Sequence, residues 1–342
     1  MEVLDPLTDP RWADLLDRAP AASIFHEPAW LRLTCGAYGY AVAAWALTGP
    51  DGRLTAGLPV ARLKSRLTGS RLLALPFSDR CPPLFDPAAG ADPAHFTREL
   101  DAERRRQDLP LEVRDELAPG QGAEPSRTFA WHRLALDPDV AVVRARFAKS
   151  QIRRGIAKAE REGVTIERSE DAAGLRRFYT LHDATRRRQG VPTPSKRYIL
   201  RFADLFARGL GFVLLARQHG RDVAAAVFLS CRGTLTYEYG ASDPRYLGSR
   251  PNNLLFMEAI RWACESGHHA LDFGRTDLDN HGLLAFKRAW GAEETSLRYH
   301  RFGVGSAPGS DAGARDLLAV AIRRGPPGLG RLVGTALYRH LG

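Results

Sequence analysis

Arg146, Lys149 and Arg153 fall at i, i+3 and i+7, and Arg154, Lys158 and Arg161 at i, i+4 and i+7. On a helix these spacings make two rows of cations. Such rows either bind a phosphate backbone or form an ordinary solvated helix face. From Arg144 to Arg168 there are eight basic and three acidic residues, and a second basic cluster, Arg186-Arg187-Arg188, follows. Residues 245–250 read Arg-Tyr-Leu-Gly-Ser-Arg, close to [QR]-x-x-G-x-[GA], the loop by which acetyl-coenzyme A acyltransferases lay backbone N–H groups on a pyrophosphate at a helix start. Arg250 stands where the last small residue belongs and would crowd that phosphate; without a ligand the segment is a helix-start loop with two surface arginines. Tyr237 and Tyr239 flank Glu238, so on a strand they share one face and either line a cleft or fill core. Asp272 is a candidate helper at a strand end, although aspartate beside glycine is commonly a turn residue. Lysine is scarce: Lys64, Lys149, Lys158, Lys196 and Lys287 stand against 44 arginines.

These residues need a frame. With 342 residues the chain has room for two domains at roughly 100–200 residues each, and no disulfide or metal staple is required. Hydrophobic and charged fractions of 44% and 26% are globular values that exclude collagen-like, coiled-coil and wholly disordered classes. Apolar runs such as 40–47 and 223–229 fall well short of the roughly 20 residues that span a bilayer. The acidic, proline-interrupted start lacks the basic stretch and apolar segment of a secretory signal, so a cytoplasmic location without an integral membrane segment is expected. Cys35, Cys81, Cys231 and Cys264 form no C-x-x-C pair and are expected as reduced core residues. No H-E-x-x-H occurs, and His268 and His269 would point to opposite faces of a strand, so no metal site is expected. The net charge of +10 favours polyanionic partners such as nucleic acid or phosphorylated precursors, while the arginine bias is also what a GC-rich genome produces.

Strands are predicted over 41–47, 54–61 and 72–76, the first two joined by the turn Gly49-Pro50-Asp51-Gly52. A surface helix over 94–107 and strands over 109–113 and 128–136 follow. The order then returns: strands over 211–217, 223–230 and 234–240, a helix from Pro251 to about 265, a strand over 269–273, a helix over 282–290 and a strand over 296–302. Between the halves, 143–162 is predicted as one helix with Ala145, Ala148, Ile152, Ile156 and Ala159 as its buried stripe. A meander, helix, strand, helix, strand succession written twice predicts an α/β fold of mixed sheets with tandem duplicated, acyltransferase-like domains. The expected boundaries are a first domain over 1–142, a second over 143–302 that opens with the basic helix and carries the chemistry, and a basic tail over 303–342. The tail is expected to pack back on the body, with a membrane surface as the less favoured partner.

Phe25-His26-Glu27-Pro28-Ala29-Trp30, the stretch 150–164, Leu271-Asp272-Phe273-Gly274 and Phe286-Lys287-Arg288-Ala289-Trp290-Gly291 resemble FemABX-type proteins, in particular the FemAB-like or CelD/BioF-like acyltransferase branch. The similarity extends over nearly the whole chain. It implies tandem GNAT-like domains that take an aminoacyl group from aminoacyl-tRNA, without coenzyme A, and add it to the side chain of a peptidoglycan precursor. It also implies a Phe-Lys pair serving the transfer, matched by Phe286 and Lys287, with the lysine beside the aminoacyl ester. Aminolysis of an ester puts negative charge on the attacked carbonyl and then on the leaving ribose oxygen, and a positioned ammonium stabilises both. Phe286 would wall the pocket and hold the terminal adenosine. Arg187, Lys196, Arg197 and Tyr198 lie in the region through which the family contacts its acceptor. Where the family has a lysine for the precursor phosphate, this chain has Leu33 or Thr34, with Arg32 nearby, and the long helical arm of some members has no counterpart.

The expectation is an aminoacyl-tRNA-dependent transferase that forms an amide on an amine-bearing peptide or nucleotide-linked, cell-wall-type precursor, as a monomer and with no cofactor beyond that co-substrate. Lys287 and Phe286 would serve the transfer; Arg187, Lys196, Tyr198, Tyr237, Tyr239 and Asp272 the acceptor; Arg153, Arg154, Lys158, Arg245 and Arg250 the tRNA. The alternative is a GNAT N-acyltransferase that takes its acyl group from acetyl-coenzyme A and modifies an exopolysaccharide or small molecule. A non-catalytic RNA- or precursor-binding protein is the second alternative.

Overall fold

Gly52, at φ +79°, adopts the left-handed backbone that a tight turn requires, and on either side of it the chain forms the hairpin its apolar runs call for. The computed structural model describes residues 1–65, 69–118, 122–303, 312–326 and 328–341, so of the expected tail, 304–311, 327 and 342 lie outside the described residues. Two compact units emerge: Met1–Phe129 with Ser296–Ser310 and Ala336–Gly342, and Ala130–Thr295 with Asp311–Thr335. The units break within two long strands and the last helix, whereas the expected boundaries were at 142 and 302.

In the first unit β1 (Glu2–Leu4), α1 (Pro10–Arg18) and α2 (Pro28–Tyr38) precede a meander of β2 (Ala41–Thr48), β3 (Leu54–Leu63) and β4 (Arg71–Ala74). The short β5 (Leu84–Phe85) pairs with β3, and α3 (Pro93–Gln107), β6 (Leu111–Val113) and the start of β7 (Ala123–Ala135) follow. Helix α3 begins where the sequence dictates: the Asp92 carboxylate accepts from the amides of Ala94 and His95, and Pro93 takes the first helical position. β4 and β6 run parallel over three pairs, Leu72–Leu111 to Ala74–Val113. Beyond them the fully extended ladder gives way to the buried guanidinium of Arg114, which donates to the carbonyls of Leu75 and Ser78 at 2.9 Å each. Trp12, Leu15 and Leu16 of α1 pack on Ala44, Ala46 and Leu54 to make the core on one face.

The second unit takes up the end of β7 and continues with α4 (Val140–Ala145), α5 (Arg154–Arg161), β8 (Thr165–Ser169), α6 (Ala172–Gln189), α7 (Lys196–Leu200) and α8 (Phe202–Phe206). Its meander is β9 (Gly211–Gln218), β10 (Arg221–Cys231) and β11 (Thr234–Ser242), after which come α9 (Pro251–Glu265), β12 (Ala270–Thr276), α10 (His281–Ala289) and the start of β13 (Glu293–Phe302). Helices α11 (Ala312–Arg324) and α12 (Leu329–Leu341) close the chain. The sheet order in this unit is β7-β12-β11-β10-β9-β8. Meander, helix and parallel strand therefore recur in the order of the first unit, and the expected duplicated, mixed-sheet α/β fold is the one observed. All four cysteines are buried thiols.

One element differs from its prediction. Residues 143–162 are not a single helix: α4 stops at Ala145, the Ala148 amide donates to the Ala289 carbonyl at 2.8 Å, and a π-turn over Lys149–Arg153 leads into α5. The long-range bond to α10 competes successfully with the next helical bond. The break shifts the stripe, leaving Ala145 exposed and burying Val143, Phe147, Ile152, Ile156 and Ala159 against α9 and the sheet.

Candidate active site

β11 and β12 pair in parallel from Thr234–Ala270 to Thr236–Asp272, and there the ladder stops while both strands continue, to Ser242 and Thr276. At the parting β11 carries a bulge: Tyr239 faces Val227 and Tyr237 faces the next residue, Phe228. Glu238 is thus the extra residue, and the two tyrosines leave on opposite faces, which corrects the expectation of a shared face. Tyr237 packs on Phe228 and Phe256. Tyr239 packs instead on Phe178, His182 and Phe202 of α6 and α8. The Tyr237 hydroxyl lies against Gly240, where a Cβ would come within 1.9 Å of it, and burial pushes its phenol up to about 12.

A cavity of about 260 Å³ opens beside this bulge, within the second unit. Ala225, Ala226, Tyr237, Leu255, Phe256, Leu283 and Phe286 give it apolar walls; Thr185, Arg188, Gln189, Ser242 and Asn252 give it polar ones. Among the described residues its one charged lining residue is Arg188, and Asn252 brings the first turn of α9, the positive end of a helix dipole, into the lining. Thr185 ties the end of β11, on the side that β12 has left, to α6 twice, accepting from the Ser242 amide at 3.1 Å and donating to its carbonyl at 3.2 Å. Arg188 donates to the same carbonyl at 3.1 Å.

The two transfer candidates separate at this point. Phe286 is in the cavity wall, in edge contact with Phe256. Lys287, one residue on, is 2% exposed and is not a lining residue: its ammonium donates to the carbonyls of Gly274 at 2.8 Å and Arg275 at 3.2 Å. Those carbonyls belong to a second irregularity, between Asp272 and Arg275 of β12, where Gly274 has φ +70°. The Asp272 carboxylate shapes it, accepting from the Gly274 amide at 2.7 Å and the Trp131 indole at 2.8 Å. Lys287 therefore fastens α10 to β12, and its charge helps burial hold the neighbouring His132 imidazole below the usual histidine range.

Of the other acceptor candidates, Arg187 donates to the Gly325 carbonyl at 2.8 Å and so anchors the turn after α11. Tyr198 is buried in edge contact with Phe202, and Lys196 is exposed at the start of α7. None of the three lines the cavity. Of the tRNA candidates, Arg153 donates to the Phe147 and Ala145 carbonyls, which caps the broken end of α4. Arg154 and Arg250 are exposed, and Lys158 pairs with Glu162 at 3.5 Å. Arg245 forks onto Asp243. The segment 245–250, a near match to a coenzyme loop, lies in a 3-10 turn over Pro244–Ser249 with Arg250 left-handed at φ +58°. Three of its amides are engaged within the chain: Arg245 donates to the Asp243 carboxylate, Tyr246 to the Asp243 carbonyl, and Arg250 to that of Leu247. In the first half, Arg32 donates to the Leu7 carbonyl and the Thr34 hydroxyl to that of Trp30.

Sequence reasoning missed Thr185, Arg188, Gln189 and Asn252. The run Arg186–Arg188 signalled a cation there, but not which of the three faces a cavity. Among the described residues no cluster of three or more His, Cys, Asp or Glu side chains could hold a metal ion, and no helix is long and apolar enough to cross a membrane.

Residues 146–288 match the family model "Acetyltransferase (GNAT) domain". A Lipid II:glycine glycyltransferase of Staphylococcus epidermidis is 43% identical over 78 residues, covering 21% of this chain and 19% of the relative. The Staphylococcus aureus protein of that name is 26% identical over 145 residues, covering 41% and 34%. The chain thus matches between about a fifth and a third of the length of these relatives. Among solved structures, a crystal structure of FemX superposes with a TM-score of 0.66 at 16% identity, covering 93% of this chain and 100% of that one. A tandem GNAT protein from the clavulanic acid biosynthesis pathway gives 0.53 at 15% identity, covering 90% and 99%.

Proposed function

Because the chain is FemABX-like and has the tandem acyltransferase fold, we propose that it is an aminoacyltransferase that joins an amino acid from aminoacyl-tRNA to the amine of a cell-wall-type peptide precursor. The observation that carries this reading is the cavity at the parted strands, with apolar walls and a purely positive charged edge. In the reaction the acceptor nitrogen attacks the ester carbonyl, the C–N bond forms as the bond to the ribose oxygen breaks, and the amine's proton passes to the departing oxygen. Tyr237, Phe256 and Phe286 exclude water from the ester. The first turn of α9 and Arg188 stabilise the oxyanion, a contribution that low dielectric strengthens. Lys287 acts through position: it seats α10 on β12, and with it Phe286. Arg154 and Arg250, both exposed, and Lys158 beside Glu162 steer the tRNA. The staphylococcal relatives are named for lipid II and glycine, which makes a lipid II-like precursor and a small amino acid the first pair to try. The protein would do this as a monomer in the cytoplasm, with no further cofactor. An acyl-coenzyme A donor has less support, since Arg250 stands where the pyrophosphate loop needs a small residue and the amides of Arg245, Tyr246 and Arg250 already donate within the chain.

The test is transfer from a pool of labelled aminoacyl-tRNAs, with cell extract as the source of acceptor. We expect RNase-sensitive labelling of a peptide, loss of roughly 100-fold in rate for Lys287→Ala through misplacement of α10 and Phe286, and tRNA affinity that falls steeply with added salt. RNase-insensitive labelling, or tight acetyl-coenzyme A binding by calorimetry, would overturn the reading. Full activity in Lys287→Ala would remove that residue from it.

A further inference from the structure

Leu317 and Leu332 are the most exposed large apolar side chains among the described residues, at 74% and 73%, and Val320 follows on α11 at 45%. The helices that carry them are held in place. Ile322 is fully buried, the Thr193 amide donates to the Gly330 carbonyl at 3.0 Å, and Gly334 lies so close to Thr193 that a Cβ would meet its carbonyl oxygen at 1.9 Å. One face of each helix is therefore committed inward, and the leucines belong to the other. On α11, Leu317, Val320 and Arg324 fall at i, i+3 and i+7, so the outward stripe combines apolar groups with a cation. In sequence, α11 and the start of α12 carry Arg315, Arg323, Arg324 and Arg331 against one carboxylate, Asp316. Of these arginines, Arg331 pairs with Asp183 and Arg323 donates to the Gln189 carbonyl. Arg324 is exposed.

Exposed leucines with an exposed arginine on the same stripe suit a helix that lies at the headgroup boundary of an anionic bilayer, with leucines among the acyl chains and the guanidinium among the phosphates. A second copy of this chain would bring the same cations to the contact and repel it. We propose that the outward face of α11, with Leu332 of α12, docks the protein on an anionic lipid surface. The docking is independent of the transfer reading, because it needs neither tRNA nor acceptor.

Sedimentation of the full chain with vesicles tests this. We expect binding to equimolar phosphatidylglycerol and phosphatidylcholine, little binding to phosphatidylcholine alone, and weakening by salt. The double variant Leu317→Ser/Leu332→Ser should lose affinity on the order of tenfold or more, and Arg324→Glu several-fold. All three side chains are solvent-exposed, so the circular dichroism spectrum should not change. Absence of binding to the anionic vesicles, equal binding to both vesicle types, or a double variant that binds like the parent would each overturn the proposal. So would a concentration-dependent dimer that the double variant abolishes, since the face would then join two copies.

Discussion

Gly240 and Tyr237 show how much of the site depends on single atoms. Gly240 has no positive φ to explain it; what it provides is the space into which the Tyr237 hydroxyl reaches. An added Cβ would have to displace a stiff aromatic ring that is packed on Phe228 and Phe256, and an overpacked contact of this kind costs about 1–3 kcal/mol. Gly240→Ala should therefore lower transfer activity through a reshaped cavity, with a fall in Tm of several degrees by thermal denaturation. Unchanged activity with a lowered Tm would place Tyr237 outside the reaction. The identity of the residues at this spot was legible, since Tyr237 was already a candidate. Their facing was not: a bulge is a property of the register between two strands, and Glu238 looks in sequence like any alternating position.

At the scale of elements, Thr185 is the hinge point. Past Thr236, β11 has no partner strand on its β12 side, and the hydroxyl of Thr185 satisfies both the amide and the carbonyl of Ser242 at the far end. Thr185→Val keeps the volume and removes both bonds, leaving two backbone groups near the cavity without that partner. A stability loss of about 1–3 kcal/mol is expected, visible as a lower urea midpoint with unchanged slope. A midpoint equal to the parent's would show that the strand end is held by other contacts. Helix and strand positions were largely readable from periodicity and punctuation: Pro251 opens α9 as expected, and the hairpin turns at Gly52 and Gly220 have the left-handed backbone their sequences announce. The helix predicted over 143–162 failed for a tertiary reason, the capture of the Ala148 amide by Ala289, which no local pattern encodes. Lys287 shows the same limit: its residue type pointed to charge chemistry, while its contacts with Gly274 and Arg275 depend on an irregularity in β12.

For the molecule as a whole, burial of neutral histidine sets an acid limit. His182, between Phe178 and Tyr239, is pushed down to about 3, first by burial and then by the charge of Arg186. In the unfolded chain it would take up a proton near its ordinary value of about 6.5. Below that pH the unfolded state binds a proton that the folded state refuses, so stability is lost as pH falls, by about 1.4 kcal/mol per pH unit at most, until the folded group titrates in turn. His132 and His268, also lowered by burial, act in the same direction. Replacing His182 with Phe should flatten the decline in Tm between pH 6.5 and 4, measured by calorimetry; an unchanged profile would assign the acid limit to other groups. The division of the chain has a consequence during synthesis. β6 ends at Val113, yet the residues that pair with its other edge, His300–Phe302, belong to β13, which is made only after the meander and helices of the second unit. At roughly 5–20 residues per second the nascent first unit spends many seconds outside the ribosome with an open sheet edge that can recruit foreign strands. A gene fragment ending between the halves would leave that edge open permanently.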